Sequence, residues 1–104
     1  MVKVLDSSNF DSAIDKGVTI VDFYADWCGP CKMMGPVMEN ISDEVENVSV
    51  CKVNVDKAND IAARYNVMSI PTFIIFKDGN QVETFKGAMP KEMITNKLNK
   101  FIKG

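Results

Sequence analysis

The sequence contains no histidine in 104 residues. That removes the Cys-His and Ser-His pairs by which many enzymes activate a nucleophile. Cysteine is scarce, at three. An odd count excludes a fully paired disulfide framework within one chain. Three cysteines without histidine also fall short of the four ligands of a structural zinc site, so no metal is expected. No basic run is present, and the net charge is −2. Nucleic acid and membrane are therefore not expected as partners. No apolar run approaches the roughly 20 residues that span a bilayer as a helix. The N-terminus, Met1-Val2-Lys3-Val4-Leu5-Asp6, meets an acid before a long apolar region builds, unlike a secretory leader. The expected location is cytoplasmic, where thiols are kept reduced.

What remains is ordinary soluble material. Apolar residues make up 46% and charged residues 25%, which fits a globular domain. The length fits one domain over residues 1–104, able to bury roughly two-thirds of its unfolded surface. Elements alternate at short spacing, with no linker or repeat. Val2–Leu5 reads as a short strand. Ser7-Ser8-Asn9-Phe10-Asp11 carries a helix start, with an acid three residues after Ser8, and the helix is expected to reach Lys16 before Gly17 ends it. Val18–Tyr24 is apolar and β-branched throughout except for Asp22, the pattern of a strand buried on both faces. A turn through Ala25–Cys28 leads into a helix with Pro30 in its first turn. Met34, Val37, Met38 and Ile41 follow helical spacing. Pro36, inside that helix, removes one hydrogen bond and predicts a kink. Val48–Val55, Thr72–Lys77 and Gln81–Lys86 read as strands, and Asn59–Tyr65 as a short helix. Lys77-Asp78-Gly79-Asn80 is a turn by composition. Pro90 opens a last helix with Ile94, Leu98, Phe101 and Ile102 on one face. The order β-α-β-α-β-α-β-β-α predicts an α/β fold, a mixed five-stranded sheet flanked by four helices.

Cys28-Gly29-Pro30-Cys31 stands where a strand passes into a helix. Residues three apart share a helix face, so the two sulfurs can meet. Cys28, at the helix start, faces unpaired backbone N–H groups and the positive end of the helix dipole. Both favour its thiolate, the nucleophilic form. The effect matters because an ordinary thiol, with pKa about 8.5, is only about 3% ionised at pH 7. Cys31 lies one turn further in and is expected to be the less exposed, better placed to resolve than to attack. Asp22 is a lone acid in an apolar run, and burial should raise its pKa.

Trp27-Cys28-Gly29-Pro30-Cys31-Lys32 resembles the active-site signature of the thioredoxin family. Asp22, Pro36, Lys52 within Lys52-Val53-Asn54-Val55-Asp56, the segment Ile70-Pro71-Thr72, Gly79 and Gly87 resemble further family positions, over the whole chain. The resemblance implies a thioredoxin fold and a protein-disulfide reductase. It implies that Cys28 attacks a substrate disulfide and that Cys31 resolves the mixed disulfide. Asp22 would take the proton from Cys31, and Lys52 would tune Asp22. Trp27, Gly29, Pro30, Ile70, Pro71, Gly87 and Ala88 would form the substrate groove, with Pro71 cis. Gly29 and Pro30 between the cysteines lean toward reduction, since isomerases and oxidases of this fold commonly carry histidine there. Implied partners are disulfide-containing substrate proteins and a thioredoxin reductase, usually of the NADPH-flavin type, with a ferredoxin-linked one as the alternative. No cofactor within the chain and a monomeric state are expected.

Plainer readings stand beside these. Asp22 can be a satisfied polar residue, Lys52 a solvated strand residue, Pro71 a trans proline at a strand edge, and Trp27 ordinary packing. Cys51, in a strand expected to be buried, behaves as a small hydrophobe. Met33 and Met68 are candidates for positions near the site. Tyr24 stands where many family members carry tryptophan, and Met68-Ser69 where some carry Arg-Gly. The rival functions are an oxidase or isomerase of the same fold, and a binding module that uses the groove without turnover.

Overall fold

The fold is organised around one strand, β2 (Val18–Tyr24), six of whose seven residues are buried. It pairs in parallel with β3 (Val48–Asn54) and antiparallel with β4 (Thr72–Lys77). Outside these lie β1 (Lys3–Leu5), parallel to β3, and β5 (Asn80–Lys86), antiparallel to β4. The sheet order in this computed structural model, which describes residues 1–102, is β1-β3-β2-β4-β5. The mixed sheet therefore has the predicted composition. The expected domain extended to Gly104; Lys103 and Gly104 lie outside the described residues.

Successive strand side chains point to opposite faces, and the two faces carry separate cores. Val21, Phe23, Cys51, Val53, Ile74 and Phe76 pack on one side with Phe10 and Ile14 of α1 (Phe10–Ile14) and Ile61 of α3 (Asn59–Arg64). Ile20, Val50, Phe73 and Ile75 pack on the other. There they meet Met34, Met38 and Ile41 of α2 (Gly29–Glu44) and Ile94 and Leu98 of α4 (Lys91–Ile102). The same alternation assigns Asp22 to the α2 side, between Ile20 and Tyr24. Lys52 falls on that side too, between Val50 and Asn54.

Element ends differ from expectation for local reasons. The first helix starts without the predicted cap. Ser8 donates through both its N–H and its hydroxyl to Asp6 Oδ1, and Asn9 occupies the cap position with no side-chain cap bond. It also stops at Ile14, short of Lys16. Gly17 then takes φ +72°, and its N–H donates to Asp78 Oδ1 at 2.8 Å while Asp78 N–H returns a bond to Gly17 O at 2.9 Å. This tie joins the start of β2 to the β4–β5 turn. The α2 helix runs on through Pro36, which leaves the Lys32 carbonyl without its helical donor.

Candidate active site

The C-terminal end of β2 leads through a short loop into α2, and the cysteine pair sits at that junction. Cys28 is the helix cap: its Sγ accepts from Cys31 N–H at 3.2 Å, and its carbonyl accepts from Lys32 N–H at 3.2 Å. Pro30 fits the first turn because that turn has no use for its missing N–H. The two cysteines are joined as a disulfide, with their Cα atoms 5.2 Å apart. Their exposures are 5% for Cys28 and 6% for Cys31. The expectation that Cys31 is the less exposed is thus not met. Val55 and Ile70 pack over the pair together with Ala25, and Cys28 Sγ lies 3.9 Å from the Ile70 carbonyl oxygen. The loop before β4 covers Cys28 as effectively as the helix covers Cys31.

What separates the two sulfurs is the concavity each one borders. Cys28 borders a groove of about 480 Å³. Trp27, Gly29 and Pro30 form one wall, and Val55, Val67, Met68, Ser69 and Ile70 the other. None of these residues is charged. Pro71 follows a cis peptide and is buried. Gly87 N–H donates to the Pro71 carbonyl at 2.9 Å, at φ +89°, a backbone angle that only glycine adopts freely. Pro71, Gly87 and Ala88 follow on from the Ile70 side of this concavity without bordering it directly. Val55 and Val67 are lining residues that sequence reasoning missed. For Val55 the available signal was its place directly after a buried strand; Val67, three residues past α3, carried none.

Cys31 borders a second concavity of about 230 Å³, shared with Asp22, Tyr24, Asp26, Lys32, Gly35 and Lys52. Asp22 is 4% exposed and its Oδ1 has no hydrogen-bond partner. Burial pushes its carboxyl up to about 7, with the Lys52 charge pulling the other way. Lys52 is the register partner of Asp22 across the β2–β3 ladder. Its ammonium lies over the Tyr24 ring, 5.5 Å from the centroid. Tyr24 thus does more here than the sequence suggested.

Trp27 is exposed, and its indole N–H donates to Asp56 Oδ2 at 2.9 Å. Asp56 is held in turn by the buried Asn54, whose Oδ1 accepts from Asp56 N–H at 2.9 Å and Lys57 N–H at 3.3 Å. Asn54 Nδ2 reaches Asp26 Oδ2 at 3.5 Å. One buried amide therefore braces the loop after β3 against the loop after β2. Neither Asn54 nor Asp56 was singled out from sequence. Met33 and Met68 are both strongly exposed, and Met68 lines the groove as anticipated. Cys51 is buried in the opposite core, where burial pushes its thiol up and away from reactivity.

A cysteine pair closed across the first turn of a helix, at the end of a central strand, defines a thiol–disulfide oxidoreductase. The thioredoxin family model matches residues 1–100. The chain is 49% identical over 100 residues to a thioredoxin of Chlamydia pneumoniae, covering 96% of this chain and 98% of that one. It is 48% identical over 103 residues to a thioredoxin of Staphylococcus epidermidis, covering 98% of each. Among solved structures, a Plasmodium falciparum thioredoxin superposes with a TM-score of 0.89 at 35% identity, covering 96% of this chain and 99% of that one. A Malassezia sympodialis thioredoxin gives 0.88 at 35%, covering 97% and 93%. The chain belongs to the thioredoxin family, and its activity is the reduction of disulfides. Among the described residues, no helix is long and apolar enough to cross a membrane.

Proposed function

We propose that this chain is a general protein-disulfide reductase in which Cys28 attacks, Cys31 resolves and Asp22 holds the proton in between. The Cys28 thiolate attacks one sulfur of a substrate disulfide, and the other substrate sulfur leaves as a thiolate. Cys31 then gives its proton to Asp22 and attacks Cys28 Sγ. The second substrate thiolate departs, and the Cys28–Cys31 disulfide remains. Two electrons have passed to the substrate, and a thioredoxin reductase returns them. The observation that carries this reading is the state of Asp22. A carboxyl pushed to about 7 by burial, with Oδ1 unpartnered and the residue bordering the same concavity as Cys31, is poised to take a proton near neutral pH.

In this reading the uncharged groove holds an extended substrate segment beside Cys28, with Trp27 and Ile70 as its walls. Pro71, Gly87 and Ala88 extend that surface along the substrate strand. Gly29 and Pro30 bias the pair toward reduction, and Lys52 tunes Asp22. The protein acts as a cytoplasmic monomer, one domain over its length, supplied with electrons by an NADPH-flavin reductase.

The test is insulin-disulfide reduction with dithiothreitol, run on the parent, Cys28→Ser and Asp22→Asn. The parent accelerates precipitation, Cys28→Ser does not, and Asp22→Asn forms the mixed disulfide normally but resolves it more slowly. Equal mixed-disulfide lifetimes in Asp22→Asn and parent would remove Asp22 from the mechanism. No acceleration by the parent would remove the reductase reading itself.

A further inference from the structure

The concavity behind Cys31 holds a side chain, Tyr24, to which the reaction as described gives no role. Lys52 and Asp22 are register partners on the same face of the sheet. Among the described residues, however, Lys52 makes no ion pair, and its ammonium lies over the Tyr24 ring at 5.5 Å. An aromatic face within about 6 Å attracts an ammonium, by about 0.5–1 kcal/mol at exposed sites and more when desolvated. Lys52 is half-buried, and so is Tyr24.

We propose that Tyr24 is a positioning residue for the proton step: its ring holds the Lys52 ammonium at a fixed standoff from Asp22. The stem of lysine has four rotatable carbons, and water competes for its charged end. The ring opposes that pull. It keeps a positive charge close enough to favour the Asp22 carboxylate, yet not joined to it. A direct ion pair would lock Asp22 in its charged form, and a departed ammonium would leave the buried carboxyl without support.

The other charged or titratable groups facing Asp22 are few. The loop after β2 supplies Asp26, and α2 supplies Lys32 and Cys31. On the other flank, β4 places uncharged Phe73 opposite Asp22. Lys32 and Asp26 are exposed, so water screens them more than Lys52. Lys52 is therefore the charge whose position matters, and Tyr24 is what fixes it.

The proposal rests on Asp22 being the proton acceptor, but its test is read without turnover. In the oxidised protein Cys28 and Cys31 do not titrate, so the carboxyl carbon shift of Asp22 reports its own ionisation. That titration is compared in the parent, Lys52→Met, Tyr24→Leu, the double variant and Tyr24→Phe. In the parent, Lys52→Met raises the Asp22 midpoint by about half a pH unit or more. Tyr24→Leu raises it as well, and cuts the further effect of Lys52→Met to less than half. Tyr24→Phe, which keeps the aromatic face, keeps the whole Lys52→Met shift. Tyr24→Met replaces Tyr24→Leu if the latter does not fold. A Lys52→Met shift as large without the ring as with it overturns the proposal. So does the absence of any shift in the parent, or loss of the shift in Tyr24→Phe. A mechanistic failure of Asp22 would appear instead in mixed-disulfide lifetimes, with these midpoints unaffected.

Discussion

Raising the pH should weaken this fold through one carboxyl. Burial lifts Asp22 from 3.8 to about 7, while the unfolded chain returns it to about 3.9. The folded protein therefore binds this proton more tightly than the unfolded chain does. A group of that kind stabilises the fold fully below its unfolded pKa, and the contribution is lost as pH rises through the folded value. About three units at about 1.4 kcal/mol each give about 4 kcal/mol, of which roughly two-thirds disappears between pH 5 and pH 8. Against a typical total stability of about 5–15 kcal/mol, this is large. The assay is urea unfolding of the oxidised protein at both pH values, for the parent and for Asp22→Asn, whose amide carries no charge at either. The parent should lose about 3 kcal/mol more than the variant across that interval. Parallel losses would refute the argument that burial without a hydrogen-bond partner governs Asp22.

Two further outcomes complement the turnover and titration tests given above. Gly35 sits inside α2 directly before Pro36, and beyond its chain neighbours a Cβ there would meet nothing within 4 Å. Gly35→Ala should gain less than the about 0.5–1 kcal/mol usual inside a helix, because the new Cβ crowds the Cδ of Pro36; a full gain in urea stability would show that the Pro36 ring leaves that Cβ room. Trp27 is the one tryptophan in the chain, and its indole is tethered to Asp56. Asp56→Ala should lower its fluorescence anisotropy while changing stability by less than about 1 kcal/mol, because the bond is exposed. Unchanged anisotropy would mean that packing, not the bond, holds the ring.

Much of this was legible because it rests on local pattern. The apolar run of β2 with its single acid, the spacing of Met34, Met38 and Ile41, and the cysteines at a strand–helix junction each declare themselves within a few residues. The pairing of Asp22 with Lys52 could not be read so. It depends on how two strands 30 residues apart align, which period-2 alternation alone does not fix. The cover over Cys28 was invisible for the same reason, since it comes from Val55 and Ile70, distant along the chain. Pro71, Gly87 and Ala88 were assigned to the groove by resemblance alone, because no local pattern marks a residue that touches a substrate. The missed cap at α1 reflects a local alternative: the Ser8 hydroxyl is turned toward Asp6, to which it donates, instead of accepting from a first-turn N–H of the helix.

The tie between Gly17 and Asp78 has a practical consequence. It closes the end of β2 opposite the cysteines, and a seven-residue strand separates the two ends by roughly 20 Å. A surface anchor or fluorescent label attached at the neighbouring Lys16 would present the groove outward to arriving proteins. Molecules immobilised there would all offer the same face, so a binding surface made from this chain would be oriented rather than random.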